Sequence, residues 1–382
     1  MRTAEYKFLL IVDTMIPIIT LALYSLISII SNSSIYAGNQ YVYIGKHIAL
    51  IIAALFSIFH FNRVKKKEIF LYLFFFSFFF SYVISEGSHF VALQVCVFFL
   101  ATRYLSLSFD RIADNTNLAI FFLFMLLIPL FFDVLFNNGN FVYTYFYGRG
   151  RLQLGFYHPK EAGNTILVIM AVVWAGVVFN KSILIKVTFI LLLCVLLYFV
   201  QSRNALLFLF NVVFFTFLIN FTSIGIALVT FVISYIGIPI IILQLYWEEL
   251  NVVTSGRLGL WQGYLAKGDF INKEFLMQDG LVALNLDNFY LSFFIQNGPV
   301  ALILMVVLLF LLLLICSRLF FCGLSITAIL LALYVNSFFD AGLISTGSLL
   351  QVSIWSLVFY CLRRGGGTKQ FYFKNSPVKT AC

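Results

Sequence analysis

Long apolar runs of about bilayer length recur along the whole chain, and this feature constrains its fold more than any other. A helix needs about 20 predominantly apolar residues to cross the hydrocarbon core of a membrane. Because hydrocarbon offers no water to the backbone, each run must satisfy its own peptide hydrogen bonds and is predicted to be a helix. The runs lie near residues 8–30, 44–61, 69–85, 89–107, 117–136, 162–179, 187–201, 204–221, 223–246, 287–315, 324–343 and 347–362. The pattern predicts an all-α polytopic membrane protein with about 12 transmembrane helices, forming a single domain over residues 1–382.

The composition excludes an ordinary water-soluble protein. The chain has 382 residues, of which 62% are hydrophobic and 10% are charged, and its mean hydropathy is +1.03. Soluble domains are roughly 45–50% apolar and about 25% charged. In water this chain would expose large apolar patches, and a lipid bilayer removes that cost. We therefore expect the bilayer to surround most of the molecule.

Basic residues set the predicted orientation. Most of the 24 lysines and arginines fall on one side of the predicted spans, and in membrane proteins the cytoplasmic segments carry the excess of these residues. Both termini are therefore predicted to be cytoplasmic, with residues 363–382 as a cytoplasmic tail. The net charge of +9 then reflects topology. No nucleic acid is expected as a partner, because no basic face projects into water.

Two segments on the opposite side are too long to be simple connections. They cover residues 137–161 and 247–286. Long loops in a compact bundle usually serve a function. These two carry most of the charge on their side of the membrane, which is the predicted outer face. We expect any chemistry to take place there.

The second of these loops contains a predicted interfacial helix. Thr254 or Ser255 can cap a helix over Gly256–Lys267, and Gly268 suits its C-terminal end. Its apolar residues recur at helical spacing, which is typical of a helix lying in the membrane interface. Arg257 falls in the first turn, where backbone donors and a guanidinium form an anion site. The alternative is an arginine that reaches the lipid headgroups and binds no substrate.

The first loop and the connection near residue 203 hold three further arginines. Arg149 and Arg151 alternate with glycines, which allow a close approach to a phosphate, although on sequence alone two solvated loop charges are the simpler interpretation. Pro159 fits the first position of the next helix, with His158 at or near its cap. Arg203 lies between two apolar runs, at a depth where a charge is costly and usually has a partner.

No metal or cofactor is predicted. The 6 cysteines and 4 histidines show no spacing that is typical of a metal site. No glycine-rich phosphate loop follows a predicted strand, so nucleotide hydrolysis has no support.

Three segments occur in an order that is similar to a known family. Arg149–Gly163 resembles a block of the form Arg-Leu…Gly-Phe…His-Pro-Asn…Gly, with Lys160 in place of the asparagine. Gln201–Ala205 resembles a Ser-Arg-small motif at a helix start, and Ser255–Gly298 resembles a large loop with the helix that follows. Together they resemble the O-antigen polymerase and ligase superfamily over roughly residues 140–315. Its members elongate or transfer lipid-linked bacterial polysaccharide.

One departure favours the polymerase branch of that superfamily. The ligase branch carries a His-Asn pair, then nine residues and a glycine, and its histidine is essential. This chain has Asp287 and Asn288 followed by Gly298 at the same spacing, without the histidine. The resemblance therefore favours a polymerase.

The resemblance implies a glycosyl transfer at the periplasmic face of the bacterial inner membrane. In this superfamily a growing glycan moves from one undecaprenyl diphosphate to a sugar hydroxyl of another lipid-linked repeat unit, without a metal or cofactor. Lipid-linked oligosaccharide and polymer are then the substrates. A chain-length regulator protein is a further expected partner.

The implied residue roles follow from that chemistry. A departing diphosphate needs cations, and an acceptor hydroxyl needs a base. Asp287 is the expected base, with His158 and Glu161 behind it; the alternative for Asp287 is a carboxylate that only stabilises a helix start. The expected substrate-binding residues are Arg149, Arg151, Lys160, Arg203, Arg257 and Asn288.

Two other functions stay open on the sequence. One is the O-antigen ligase, which attaches finished glycan to the lipid A core. The other, from a different class, is a flippase for lipid-linked oligosaccharide. A flippase should show internal repeats and charges at mid-membrane depth, whereas here the outer loops carry the arginines.

Overall fold

The described residues fold into a bundle of helices with one short β-hairpin. A computed structural model describes residues 2–33, 36, 39–59, 68–84, 89–127, 143–146, 149–154, 156, 158–177, 183–234, 289–319, 323–337, 343 and 348–364. The helices are α1 (Arg2–Ser31), α2 (Gln40–Phe59), α3 (Ile69–Ile84), α4 (His89–Asp114), α5 (Thr116–Leu127), α6 (Pro159–Trp174), α7 (Ile183–Val200), α8 (Arg203–Phe221), α9 (Ile224–Val232), α10 (Phe289–Ser317), α11 (Gly323–Asn336) and α12 (Leu349–Arg364). The strands are β1 (Tyr143–Phe146) and β2 (Arg149–Leu152).

The twelve helices of the described residues follow the apolar runs of the sequence. Each helix overlaps one predicted run, in the same order. Polar side chains stop the apolar pattern and cap the next helix. The Asn115 side chain accepts from the backbone N–H of Asn117 at 3.0 Å before α5, and Ser223 Oγ accepts from that of Ile226 at 3.3 Å before α9. Caps of this kind satisfy N–H groups that have no partner within the helix.

A membrane environment is supported by the length of the apolar helices and by the apolar side chains on the surface of the bundle. Four helical segments among the described residues are long and apolar enough to cross a bilayer: Gln40–Phe59, Val91–Asp114, Arg203–Phe221 and Asn297–Ser317. Several shorter helices are also apolar. Large apolar side chains point outward, such as Leu184 at 74% and Val300 at 78% exposure. Contact with lipid is the simplest account of such exposure. The orientation of the termini stays a prediction.

The centre of the bundle is formed by helices that bury nearly their whole surface. Every residue of α12 from Leu349 to Leu362 is buried, and α12 contacts α4, α6 and α11. Its Trp355 packs 5.4 Å from Phe74, measured between ring centroids. The indole N–H of Trp355 donates to the carbonyl of Leu343 at 2.9 Å. A buried indole with its one donor satisfied stabilises this centre without a polar penalty.

One end of the bundle carries the β-hairpin, and we call it the hairpin end. Ser33, which follows α1, forms an antiparallel backbone bridge with Phe156, which precedes α6. The start of α6 packs against the start of α8, and β2 contacts α7. The hairpin end therefore joins the end of α1 to the starts of α6 and α8.

The opposite end holds buried charges, and we call it the ionic end. Arg103 of α4 donates to the carbonyl of Ser57, near the end of α2, at 3.1 Å. Glu68, just before α3, pairs with Arg103 and with Arg363 near the end of α12. Helices α2, α4 and α12 therefore end here, and α3 begins here. Helix α2 connects the two ends.

Part of the first predicted loop has regular structure. Residues 143–146 and 149–152 form antiparallel strands in which Thr144 lies opposite Arg151 and Phe146 lies opposite Arg149. This hairpin is a departure from the all-α prediction. The second predicted loop, 247–286, with its interfacial helix, lies outside the described residues.

Helix α10 is broken near its start. Gly298 has φ 83° and ψ 174° inside the helix, and Pro299 follows it. A positive φ of this kind is accessible to glycine and costly for other residues. The break separates a first segment, Phe289–Asn297, from the apolar segment that is long enough to cross a membrane.

Candidate functional site

The start of α6 is organised by His158, which caps it as predicted. His158 has an extended backbone with φ −137° and ψ 138°, and Pro159 takes the first helical position. The Nδ1 atom of His158 accepts the backbone N–H of Lys160 at 3.0 Å. A ring nitrogen that accepts a hydrogen bond carries no proton, so in the neutral ring the proton lies on Nε2. The cap therefore fixes both the position of the imidazole and its tautomer.

Glu161 lies in the first turn of the same helix, and its side chain accepts a hydrogen bond from a residue outside that helix. Its Oε2 atom accepts a hydrogen bond from Nδ2 of Asn32, at the end of α1, at 3.0 Å. Its backbone N–H donates to the carbonyl of His158 at 3.0 Å. An acidic residue in a first turn is also stabilised by the helix dipole. Glu161 thus connects α1 to the start of α6.

Lys46 brings a buried cation to this point from α2. It is only 3% exposed, and Glu161 attracts its charge electrostatically. Its Nζ atom lies 4.2 Å from the centre of the Tyr43 ring. Neither Lys46 nor Asn32 was among the residues predicted to belong to the site. A signal was available for Lys46, since it falls inside a predicted apolar run, where a charge is costly and needs a partner.

A close crossing of two helices brings Arg203 to the same end. A Cβ atom on Gly163 of α6 would lie 2.9 Å from Cβ and 3.0 Å from Oγ of Ser202, and 3.0 Å from Cβ of Ala205. Only glycine allows this approach. Ser202 is the cap residue of α8, and Arg203 is the exposed first residue of that helix. The two helix starts, with Lys160 and Arg203 among their first residues, are therefore adjacent.

The β-hairpin carries two more of the arginines that were predicted to bind substrate. Arg149 and Arg151 belong to β2, which contacts α7, the helix that ends just before Arg203. Between β2 and α6 the chain turns at Leu154, which has φ 52°, and Phe156 is held by its backbone bridge to Ser33. The structure thus places β2 and the starts of α6 and α8 at one end of the bundle.

The other predicted site residues lie outside the described residues. These are Asp287, Asn288 and Arg257. The chain is described again from Phe289, whose backbone N–H donates to the carbonyl of Ser337 at 2.9 Å. Phe293, one turn later, packs 5.1 Å from the ring of Phe78 in the later half of α3. The start of α10 therefore lies on the side of the bundle away from the ionic end.

The ionic end is a second polar cluster, and no sequence pattern predicted it as a unit. Glu68 lies 3.8 Å from Nε of both Arg103 and Arg363. Asp110 lies 3.4 Å from Arg363 Nη2 and 3.4 Å from Arg364 Nε. Three guanidiniums and three carboxylates take part once the pair of Arg364 with Asp114 is included. The cluster is neutral as a whole, and it joins α3, α4 and α12.

The described residues contain no group of three His, Cys, Asp or Glu side chains that could hold a metal ion. The chain matches no family model, no curated protein and no solved structure.

Proposed function

We propose that the protein is a polymerase of O-antigen or a related surface polysaccharide. As a metal-independent glycosyltransferase, it would join undecaprenyl-diphosphate-linked repeat units at the periplasmic face of the bacterial inner membrane. The observation that carries the proposal is the close crossing at Gly163, which sets the start of α8 with Arg203 beside the start of α6 with His158 and Lys160. Two of the segments that resemble the superfamily therefore meet in the fold.

The cations have a clear part in such a reaction. The C1–O bond between sugar and diphosphate breaks, and negative charge builds up on the departing lipid diphosphate. An arginine can bind two phosphate oxygens at once, and the N–H groups of a helix start add to the positive potential. Arg203 and Lys160 would bind the diphosphate, together with Arg149 and Arg151 of β2 and Arg257.

The acceptor side of the reaction needs a base. The acceptor hydroxyl loses its proton to the base while its oxygen forms the new bond to C1 of the donor sugar. Asp287 is the proposed base, and Asn288 beside it would bind the acceptor sugar. His158 is a second candidate through Nε2 only, since Nδ1 is occupied by the cap. A base must lie within hydrogen-bond distance of the hydroxyl in the substrate complex.

The proposal is tested by complementation in the native host. The gene is deleted and restored as wild type, Arg203→Ala, Arg257→Ala or Arg111→Ala, and surface polysaccharide is separated by electrophoresis. Arg111 is an exposed arginine of α4 near the ionic end and serves as the matched control. We expect deletion and both site variants to leave single repeat units on the lipid core at equal protein level. The control should restore the full ladder.

The same gel separates the alternative functions. Bare core with accumulated lipid-linked polymer after deletion would instead indicate the ligase. A full ladder without the gene would contradict any O-antigen role and return the flippase to consideration.

A further inference from the structure

Glu161, in the first turn of α6, interacts with two polar side chains from elsewhere in the fold. Asn32 comes from the segment just after α1, Lys46 from α2 and Glu161 from α6. Asn32 donates to Glu161 at 3.0 Å, and the charges of Lys46 and Glu161 attract each other. The buried Lys46 is within a helix that is apolar enough to cross a membrane. A cation in that setting is tolerated when a carboxylate compensates it.

We propose that Asn32, Lys46 and Glu161 form a positioning unit for the glycosyl transfer, and that Glu161 is not its base. The unit fixes the first turn of α6 against α1 and α2. His158 and Lys160 belong to that turn, and Gly163 in the next turn sets the distance to Arg203. This inference rests on the proposed function, since it names the residues that hold the same site in place.

The contacts of Glu161 argue against a role as base. A general base gains a proton during the reaction and so loses its negative charge. The Glu161 carboxylate already accepts from Asn32 and compensates Lys46, and its protonation would leave a buried cation without its counter-charge. The same interactions suit a carboxylate whose task is to hold α6 against α2 and the turn after α1.

A charge-removal cycle separates the two roles. The variants are Glu161→Gln, Lys46→Met and the double variant Lys46→Met/Glu161→Gln. Arg111→Met is the control for the loss of a positive charge at an exposed position. Glutamine keeps an oxygen for Asn32 but removes the negative charge, so the buried Lys46 loses the electrostatic attraction of Glu161. The double variant removes both charges and restores neutrality. Each variant is purified for thermal melting and, in parallel, restored to the deletion strain for the polysaccharide ladder.

We expect Glu161→Gln to lower the melting temperature by about 5 °C. At equal protein level, it should lower the intensity of the polysaccharide ladder about tenfold. The double variant should recover at least half of both losses, although it has no carboxylate at position 161. If the melting temperature of the double variant stays as low as that of Glu161→Gln, Lys46 and Glu161 are not coupled. Recovery of melting without recovery of the ladder would overturn the positioning role, because the carboxylate would then be needed in the reaction itself.

Failure of the proposed function is recognised separately. Melting does not depend on the substrate, so the cycle still measures the coupling if deletion of the gene leaves the ladder unchanged. In that outcome the polymerase proposal falls, and the positioning role for glycosyl transfer falls with it. The melting temperatures would still measure the electrostatic coupling between Lys46 and Glu161.

Discussion

At the residue scale, the imidazole of His158 caps a helix and is also a candidate base for the proposed glycosyl transfer. Its Nδ1 atom caps α6 through the N–H of Lys160 at 3.0 Å, so a role in the proposed transfer would have to use Nε2. Asparagine is among the best helix caps but is no base at neutral pH. Substitution at this position can therefore separate helix stability from chemistry.

We predict that His158→Asn keeps the stability of the protein and that His158→Ala lowers it by about 1 kcal/mol through loss of the cap. The measurement is thermal or denaturant unfolding of the purified protein in detergent. If Nε2 takes part in the transfer, both variants shorten the polysaccharide ladder. A full ladder with His158→Asn would assign His158 to capping alone.

Arg203 tests geometry against charge at the start of α8. Lysine keeps the charge but loses the planar fork that binds two phosphate oxygens. We predict that Arg203→Lys lowers chain elongation about tenfold, a loss of about 1.4 kcal/mol in transition-state binding. Elongation is measured as ladder intensity at equal protein level, with Arg111→Lys as the control. Full activity of Arg203→Lys would contradict a bidentate contact.

At the element scale, the helices were predictable and their partners were not. Hydropathy predicted the helical runs because the bilayer fixes both the length and the polarity of a spanning segment. The residue types at 158 and 159 predicted the cap, because proline and cap residues act on their immediate neighbours. The electrostatic attraction between Lys46 and Glu161 joins residues that are far apart in sequence, and no local pattern specifies it. The β2 strand was missed because Arg149–Leu152 lacks the alternation of apolar and polar residues that indicates a strand.

The crossing of α6 and α8 depends on one missing side chain. We predict that Gly163→Ala costs about 1–3 kcal/mol, because its Cβ would overlap Ser202 and force the two helices apart. Gly45→Ala in α2 is the matched control, since its Cβ would meet Ile27 Cγ2 at an ordinary 3.5 Å. Unfolding measurements and the ladder are compared for both. Equal stability of the two variants would show that the crossing tolerates a methyl group.

At the break in α10, a glycine is needed for its backbone angle and not for space around its Cα. A Cβ at Gly298 would meet nothing within 4 Å, but its φ of 83° is costly for any other residue. We predict that Gly298→Ala destabilises the protein by about 1–2 kcal/mol through backbone strain alone. Gly225→Ala in α9, with ordinary backbone and a nearest contact at 3.7 Å, is the control. If Gly298→Ala instead unfolds no earlier than this control, the break is not required by the fold.

At the scale of the whole molecule, the two ends of the bundle have different charge arrangements. At the ionic end the guanidiniums of Arg103, Arg363 and Arg364 are matched by carboxylates within the fold. At the hairpin end Arg203 is exposed on the first turn of α8. The positive-inside pattern treated all of these residues as markers of orientation. That pattern could not distinguish a buried ionic network from an exposed arginine, because the network depends on contacts between α3, α4 and α12.

The ionic end therefore serves as a test of whether stability and function are separable in this fold. Glu68 is 1% exposed and lies between Arg103 and Arg363. Glu68→Gln leaves two buried guanidiniums facing each other with one fewer carboxylate, and we predict a loss of about 3–5 kcal/mol in the free energy of unfolding. Arg111→Gln, at an exposed position of the same end, should change it by less than about 0.5 kcal/mol. Because the network lies at the opposite end of the bundle from the proposed site, the ladder made by Glu68→Gln should fall only in proportion to the amount of folded protein in the membrane. A ladder that shortens while the folded amount is unchanged would mean that the two ends are coupled, and the ionic end would then belong to the mechanism.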